Sequence, residues 1–445
     1  MKKHLIRPLH PTTGSTECGA LEVETRFGYP GMLFLYEDKP DRLRLMAALA
    51  RVLDDFPQYA GKLVASGVRL QIQHGGGAVA FEHARSDEAL DALSAALNAG
   101  HARSLEPAVS KLRIAATREA PLAIKFTELR DGCALAVVWN HAVGDMHSTM
   151  LLMRAWADAY AGRVWEKPIV LTDRDAYLRS VMPDPGMVRS AARRASLPLA
   201  IALRLAYLRR AVRVSVEYSW AQLAAIHQAL NIGRPITLND AVSAHVYTVL
   251  RRLAGATEPT NLCLVVNFRK RVGLSSRLIG NMTSLLSQPV DELDTPAQIA
   301  ASVRDGLEQY ASKHANYQAT MRVFDAHLSV SQRGSLISRQ FSPFGDIMIT
   351  NWNGFGVYDL AFERAQPVLF RPIVRGVTEL PQWVLIVYEL PRSRGLALTV
   401  GLPPSLAERW SSPEGQALLR RPPSRPANQR PPRAVSHEYE AAPRG

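Results

Sequence analysis

The stretch "VVWNHAVGDMHS", which runs from Val137 to Ser148, places a histidine at the end of an apolar run and an aspartate four positions later. An imidazole whose pKa lies near neutrality can take a proton from an alcohol or an amine, so His141 is a candidate general base. The spacing alone does not establish this role. The segment "HARSD", from His83 to Asp87, has the same spacing in polar surroundings.

The surroundings of the two histidines differ. His141 follows "CALAVVW", a predicted strand without charge, and Asp145 begins a predicted helix whose next turns are apolar. His83 precedes a polar segment in which Ser86 and Asp87 are typical helix-capping residues, so we expect His83 at the surface. Physical chemistry leaves two alternatives open for His141: a catalytic base, or a buried histidine held by a structural hydrogen bond.

The predicted elements place His141 in a short connection between a strand and a helix. Residues 121–129 and 133–140 are predicted strands joined by a tight turn, and a long helix follows them. Reacting side chains are commonly held in such connections by a rigid scaffold. Strands and long helices alternate in both halves of the chain. The sequence therefore predicts an α/β fold with two similar sheet-plus-helix domains and the active site in a channel between them.

Composition limits the function classes. The chain has 445 residues, 47% of them hydrophobic, which is ample for two globular domains. No apolar run is long enough to span a membrane, and no signal peptide is predicted. Three widely separated cysteines suit a reducing cytoplasm. The net charge of +13 is spread along the chain, so solvated charged faces are preferred over nucleic-acid binding.

Four segments are predicted. Residues 1–182 form the N-terminal half, 183–214 a linker with a basic amphipathic helix, 215–411 the C-terminal half, and 412–445 a Pro- and Arg-rich tail without fixed structure. The basic helix leaves a membrane-surface contact open as a weaker alternative to a solvated face.

"HAVGDMHS" resembles the H-x-x-x-D-G motif of the BAHD acyltransferases and, more distantly, condensation domains and chloramphenicol acetyltransferase. Four further stretches resemble family elements in the same order. These stretches are "LMAALARVLDDFPQYAGKL", "TLNDAVSAHVYTVLRRLAG", "VVNFRKR" with the later "LIGNMTS", and "ITNWNGFGVYDLAFERAQP". Together they extend from about residue 32 to residue 405, and they imply a chloramphenicol-acetyltransferase-like fold.

Two positions depart from the family pattern. Met146 stands where the family has a glycine after the aspartate, which puts a close backbone approach at that turn in doubt. The D-F-G-W-G signature falls on Ala361-Phe362-Glu363-Arg364-Ala365, of which only Phe362 matches. In the family this signature has a structural role distant from the reacting atoms, so its loss suggests a divergent branch more than an inactive enzyme.

The resemblance implies roles for individual residues. His141 would be the general base, and Asp145 would turn away from it to an arginine, for which Arg269 is the candidate. Thr350 and Trp352 match the family's Thr-x-Trp element, and their hydroxyl and indole N–H groups are candidate donors to the oxyanion of the transition state. The alternative for Trp352 is a purely structural position in the core.

The resemblance also implies a coenzyme A thioester as donor, used as a co-substrate and not as a permanently bound cofactor. "FRKR" supplies Arg269, Lys270 and Arg271 as candidates near the nucleotide phosphates, although a solvated strand end is an explanation at least as good. Two histidines, His141 and His147, lack a third ligand at metal-binding spacing, so no metal is expected.

The predicted function is transfer of an acyl group from a coenzyme A thioester to a hydroxyl or amine of a small molecule, an acceptor of specialised metabolism, by a cytoplasmic monomer. Transfer should be direct, because no serine or cysteine nucleophile motif occurs. Condensation-type transfer from an acyl carrier protein and a non-catalytic scaffold are the two alternatives. Neither nucleic acid nor a transmembrane segment is expected.

Overall fold

The computed structural model describes residues 2–19, 22, 25–66, 69–98, 103–110, 112–113, 118–181, 211–255, 260–291, 293–310, 346–376 and 382–423. The predicted basic helix and the tail beyond residue 423 lie outside these ranges. Within them, no helix combines the length and the apolar composition needed to cross a bilayer.

The N-terminal half is built on a six-stranded sheet with helices on both faces. Its strands, in spatial order, are β1 (Lys2–Ile6), β6 (Val79–Arg85), β7 (Leu122–Glu128), β8 (Cys133–Trp139), β3 (Gly28–Tyr36) and β13 (Pro367–Gly376). Helices α1 (Arg42–Val52) and α3 (Met146–Tyr160) cover one face, and α2 (Leu90–Asn98) packs on the other. A smaller sheet contains β2 (Ser15–Glu17), β5 (Arg69–Gln73) and β4 (Lys62–Ser66).

The C-terminal half repeats this arrangement of a sheet with helices. Its six strands, in spatial order, are β11 (Thr283–Val290), β10 (Thr260–Asn267), β12 (Ile347–Asn351), β14 (Val384–Glu389), β15 (Gly395–Leu402) and β9 (Val212–Ser219). Its helices in the described part are α5 (Trp220–Leu230), α6 (Leu238–Ala254), α7 (Pro296–Glu308), α8 (Pro404–Ser411) and α9 (Pro413–Arg420). A further helix, α4 (Arg174–Val181), lies on the segment that passes from the first half to the second.

Local sequence explains where the main helices of this half begin. Ser219, Thr237 and Thr295 each accept a hydrogen bond from the backbone N–H three residues later, and the side chain at that later position bonds back. These reciprocal pairs are capping boxes, which satisfy the otherwise unpaired N–H groups of the first helical turn. They anchor α5, α6 and α7 on the core formed with β10 and β14.

The predicted α/β architecture with two sheet-plus-helix halves is confirmed, but the predicted boundaries are wrong in three places. Strand β13 lies within the predicted C-terminal half, yet it pairs with β3 in the first sheet. Strand β9 begins at Val212, inside the predicted linker. Helix α9 lies in the predicted tail, where Leu419 is fully buried. In each case long-range packing overrides what local composition suggests.

The two halves share a core. The main apolar cluster of the first half extends to Cys263, Ile386 and Tyr388, which lie on strands of the second sheet. The other face of those strands packs against α5, α6 and α7. The boundary between the halves is therefore a packed interface, and β8 directs the candidate histidine towards it.

Candidate active site

The loop after β8 is fixed by hydrogen bonds from its own backbone. The N–H of His141 donates to Gly28 O over 2.9 Å, and the N–H of Asn140 donates to Pro121 O over 2.7 Å. The Asn140 side chain accepts from Ala142 N at 2.9 Å and donates to Arg26 O at 2.8 Å. Because the polar groups at the strand end are satisfied in this way, the loop has a defined conformation.

The His141 imidazole is not held by a structural hydrogen bond to a neighbour. Its Nδ1 atom is buried, and no other described residue provides a hydrogen-bond partner for it. Burial lowers the pKa of His141 below its ordinary value of 6.5, and a hydrogen bond to its own backbone together with the nearby Asp145 and Glu22 carboxylates only partly opposes this effect. The imidazole is therefore neutral at pH 7, which is the form that a general base requires.

His83 has a different environment, and its predicted surface position is wrong. It lies on β6, its side chain is only 11% exposed, and its Nε2 atom is 2.7 Å from Glu128 Oε1. The predicted capping is also wrong, since the N–H of Leu90 at the helix start donates to Asp131 and not to Ser86 or Asp87. His83 is a structural histidine paired with a carboxylate.

Asp145 turns away from His141 and accepts five hydrogen bonds. As the N-cap of α3 it accepts from Ser148 N at 2.9 Å and from Ser148 Oγ at 2.8 Å. Its other donors are Met282 N at 2.9 Å and two nitrogens of Arg269, Nη1 at 2.6 Å and Nη2 at 3.2 Å. Although burial opposes ionisation, the Arg269 charge and these bonds lower the pKa of Asp145 to about 2.

Arg269 is buried and fully used by the protein. In addition to Asp145, its guanidinium donates to Leu278 O at 2.8 Å, Gly280 O at 3.0 Å and Ser148 Oγ at 2.9 Å. The residue is only 2% exposed. The structure thus brings Arg269 and Asp145 together, as expected, but it leaves no free N–H for a phosphate. The prediction that Arg269 binds the cofactor is wrong.

The loop is also held by side chains that the sequence did not identify as functional. Gln58 Nε2 donates to Val143 O over 2.7 Å, and Trp139 Nε1 donates to Gly144 O over 2.9 Å. A side chain at Gly144 would collide with the Tyr59 hydroxyl, which itself pairs with Thr149. The only sequence signal for Gln58 and Tyr59 was their place in the P-x-x-A-G-K-L stretch.

Thr350 and Trp352 lie at the end of the central strand β12 of the second sheet. The Trp352 ring is 6% exposed and packs against Trp139, two residues before His141, with 6.3 Å between ring centroids. Thr350 is half-buried and pairs with Ile386 of β14. The structure therefore places this element beside the end of β8, while its predicted oxyanion role stays a prediction.

Lys270 and Arg271 are exposed on the short helix that follows β10. Arg271 donates to Leu307 O at 2.7 Å and lines a cleft of about 150 Å³ together with Asn239, Asn267 and Asn351. This cleft lies at the carboxyl ends of the parallel strands β10 and β12, a position at which α/β proteins commonly bind ligands. Arg271 and Lys270 therefore remain candidates for binding the acyl donor.

The degenerate signature lies far from His141. Phe362 packs against Trp156 at 5.2 Å and Tyr160 at 5.5 Å, at the opposite end of α3 from Asp145. Eleven residues of helix separate Asp145 from Trp156, which corresponds to roughly 16 Å. Met146, the other departure, is the first residue of α3 and packs into the core, so its backbone needs no glycine.

The chain resembles known proteins over almost all of its described length. A family model named Transferase family matches residues 36–406. A curated relative, BAHD acyltransferase DCR of Arabidopsis thaliana, is 32% identical over 135 residues, which is 26% of this chain and 26% of that protein. The chain thus matches about a quarter of the length of this relative.

Solved structures share the fold. The structure of F. graminearum TRI101 complexed with coenzyme A and deoxynivalenol superposes with a TM-score of 0.71, at 14% identity over 90% of this chain and 98% of that one. The structure of vinorine synthase superposes with a TM-score of 0.66, at 17% identity over 92% of this chain and 95% of that one. The starter condensation domain of rhizomide synthetase RzmA superposes with a TM-score of 0.55, at 14% identity over 92% of this chain and 93% of that one. With the family model covering most of its length, the chain belongs to the Transferase family, the family of the BAHD-type acyltransferases.

Proposed function

We propose that this protein transfers an acyl group from a coenzyme A thioester to a hydroxyl or amine of a small molecule, with His141 as the general base. The observation that carries the proposal is the contrast within the H-x-x-x-D loop. Asp145 is fully bonded and permanently ionised, whereas His141 is neutral and its Nδ1 lacks a partner among the other described residues. Only the histidine is available for proton transfer.

The chemistry follows from these protonation states. The neutral His141 imidazole takes the proton of the acceptor O–H or N–H while the acceptor oxygen or nitrogen bonds to the thioester carbon. The tetrahedral intermediate then collapses, the C–S bond breaks, and the imidazolium returns the proton to the leaving thiolate. The products are the acylated acceptor and a free thiol, and His141 is neutral again. Asp145 does not exchange a proton in this cycle, since its pKa of about 2 keeps it ionised.

The oxyanion of the intermediate needs a hydrogen-bond donor near the end of β8. Thr350 is the best candidate, because β12 ends beside Trp139 and the residue is half-buried. The buried Trp352 ring would form the apolar wall behind the donor. A preorganised donor in such a position typically contributes two to three orders of magnitude in turnover.

The donor would be coenzyme A, with its phosphates near Lys270 and Arg271. Two observations support this assignment. Both cations are exposed and Arg271 lines the cleft at the carboxyl ends of β10 and β12, and TRI101, which shares the fold, was crystallised with coenzyme A. We infer further that the acceptor is a specialised metabolite and that the enzyme works as a cytoplasmic monomer.

A second candidate function is transfer from the phosphopantetheine arm of a carrier protein. The fold shared with the RzmA condensation domain, at a TM-score of 0.55, favours it as an alternative. The two donors differ in one respect that an assay can measure, because a carrier-bound thioester brings a protein surface and a coenzyme A thioester brings a nucleotide.

The test is release of free thiol from a panel of acyl donors, each presented both as a coenzyme A thioester and on a carrier protein, with alcohols and amines as acceptors. His141→Ala should lower turnover by about two to four orders of magnitude without unfolding the protein. His83→Ala is the matched control and should keep turnover close to that of the wild type. Full activity of His141→Ala would contradict the proposed mechanism, and turnover with carrier-bound donors alone would favour the second candidate.

A further inference from the structure

A second buried ion pair lies on the other side of the loop that follows β8 and carries His141. Arg174, the first residue of α4, donates from Nη1 to Glu22 Oε1 over 2.7 Å. The two residues are 1% and 2% exposed. They lie 152 positions apart in the sequence, so the contact between them is a long-range one that only the fold provides.

Arg174 contacts the residue that follows the candidate base. Its Nη1 also donates to Ala142 O at 3.2 Å, so the guanidinium fixes the peptide group next to His141. Glu22 is fixed in turn by Gly19 N, which donates to Oε2 over 2.9 Å. The pair therefore holds the histidine end of the loop, whereas Asp145 and Arg269 hold its aspartate end.

The chain of the second half passes between the two ion pairs at residues 280–282. The N–H of Asn281 donates to Glu22 at 3.3 Å, and the next N–H, that of Met282, donates to Asp145 at 2.9 Å. Gly280 adopts a φ of 140°, and a Cβ there would lie 2.6 Å from Arg174 Nε. Only glycine fits this position, so Arg174 and the second half are packed against each other with no spare space.

The geometry is not what folding stability alone would favour. Two of the Arg174 nitrogens, Nε and Nη2, are buried and have no hydrogen-bond partner among the described residues. Buried donors without partners cost free energy, and buried ion pairs are often no more stabilising than apolar side chains of the same size. An apolar pair would fill this space without those unpaired donors.

We propose that Glu22 and Arg174 are a positioning pair that holds His141 in its reactive orientation through the Ala142 carbonyl. The inference rests on the proposed function of His141 and adds residues that the H-x-x-x-D motif does not contain. Neither residue touches the reacting atoms. Arg174 acts through Ala142, and Glu22 acts by holding Arg174 and the Asn281 N–H.

The test is the double variant Glu22→Gln/Arg174→Met, which removes both charges while it keeps a side-chain oxygen for the Asn281 N–H. We expect kcat to fall about 10- to 100-fold, because a small displacement of a reacting group costs this much. KM should change by less than about threefold, and the melting temperature should stay within about 3 °C of the wild type. Arg174→Lys, which keeps the charge, should recover part of the lost kcat.

The control is His83→Gln/Glu128→Gln, which removes a partly buried histidine–carboxylate pair between β6 and β7 and should leave kcat unchanged. Unchanged kcat in the Glu22/Arg174 double variant would overturn the proposal. So would a loss of kcat that is fully explained by a lowered melting temperature, since the pair would then be merely structural.

A spectroscopic readout separates this proposal from the proposed function. In protein with 13C-labelled histidine, the His141 resonance, assigned with His141→Ala, should shift or broaden in the double variant, while the His83 resonance should not. An unperturbed His141 resonance would overturn the positioning role. This measurement holds even if no thioester proves to be a substrate, an outcome that would contradict only the proposed function.

Discussion

The pair formed by Asp145 and Arg269 allows a quantitative test of how the site is held. Asp145 is 1% exposed and accepts five hydrogen bonds, two of them from Arg269. Arg269→Ala leaves a buried carboxylate with its three remaining bonds, and Asp145→Ala leaves a buried guanidinium. Removing one partner of a buried ion pair costs about 3–5 kcal/mol, so each variant should lose that much free energy of unfolding.

The double variant should lose much less than the sum of the two single losses. With both charges gone, no uncompensated charge remains buried, and the neutral groups left behind are Ser148, the Met282 N–H and the carbonyls of Leu278 and Gly280. We therefore expect a coupling free energy of about 2–3 kcal/mol, at the upper end of what directly interacting residues show.

The measurement is equilibrium unfolding in urea, with the slope of each transition checked for constancy so that the free energies can be compared. Turnover measured in parallel should fall in all three variants, because Asp145 fixes the start of α3. A cycle between Asp145→Ala and Arg304→Ala is the control. Arg304 pairs with Asp240 and shares no partner with Asp145, so these losses should add. Additive losses in the Asp145/Arg269 cycle would refute the reasoning.

Three further predictions follow from the structure. Because the pKa of His141 is lowered by burial and its neutral form is the active one, kcat/KM should rise with pH through one ionisation below pH 6.5 and stay level above pH 7. An ionisation of kcat/KM above pH 7 would contradict this assignment. A chain that ends at Ser412 loses the buried Leu419 and its bond to His245, so its free energy of unfolding should fall by about 2–5 kcal/mol in urea unfolding. A chain that ends at Pro423 keeps both and should match the wild type in the same measurement. Glu363→Gly relieves a φ of 57° and removes only an exposed ion pair with Arg44, so thermal unfolding should show a stability gain of up to about 1 kcal/mol with unchanged turnover. A loss of stability would show that the ion pair contributes more than the backbone strain costs.

Local patterns in the sequence were sufficient for the elements around His141. The uncharged stretch "CALAVVW" is a strand buried at every position, and Asp145 is the N-cap of the helix that follows. Periodicity and capping are local properties, so they can be read without knowing the fold. The candidate partner Arg269 came from the resemblance alone, because no local pattern connects positions 145 and 269.

Residues that act through long-range contacts could not be predicted. Strand β1, "KKHLI", looks polar because it lies at the edge of its sheet, and β13 is assigned to the wrong half when chain order is the only guide. Glu22 and Arg174 have no sequence pattern in common, and only the fold pairs them and places Arg174 against Ala142. The one local hint was Gly280, since glycine commonly marks a place where another group approaches the backbone.

The glycines of the site show why one departure from the family motif is tolerated while others should not be. Met146 replaces a glycine without strain, because its backbone is helical and its side chain fills space in the core. Gly144 and Gly280 have no such freedom, since a Cβ would meet the Tyr59 hydroxyl at one position and the Arg174 guanidinium at the other. What the chemistry requires at these turns is room for a neighbouring polar group that holds the loop. Gly144→Ala and Gly280→Ala should therefore impair turnover more than any residue placed at position 146 whose side chain fits the core.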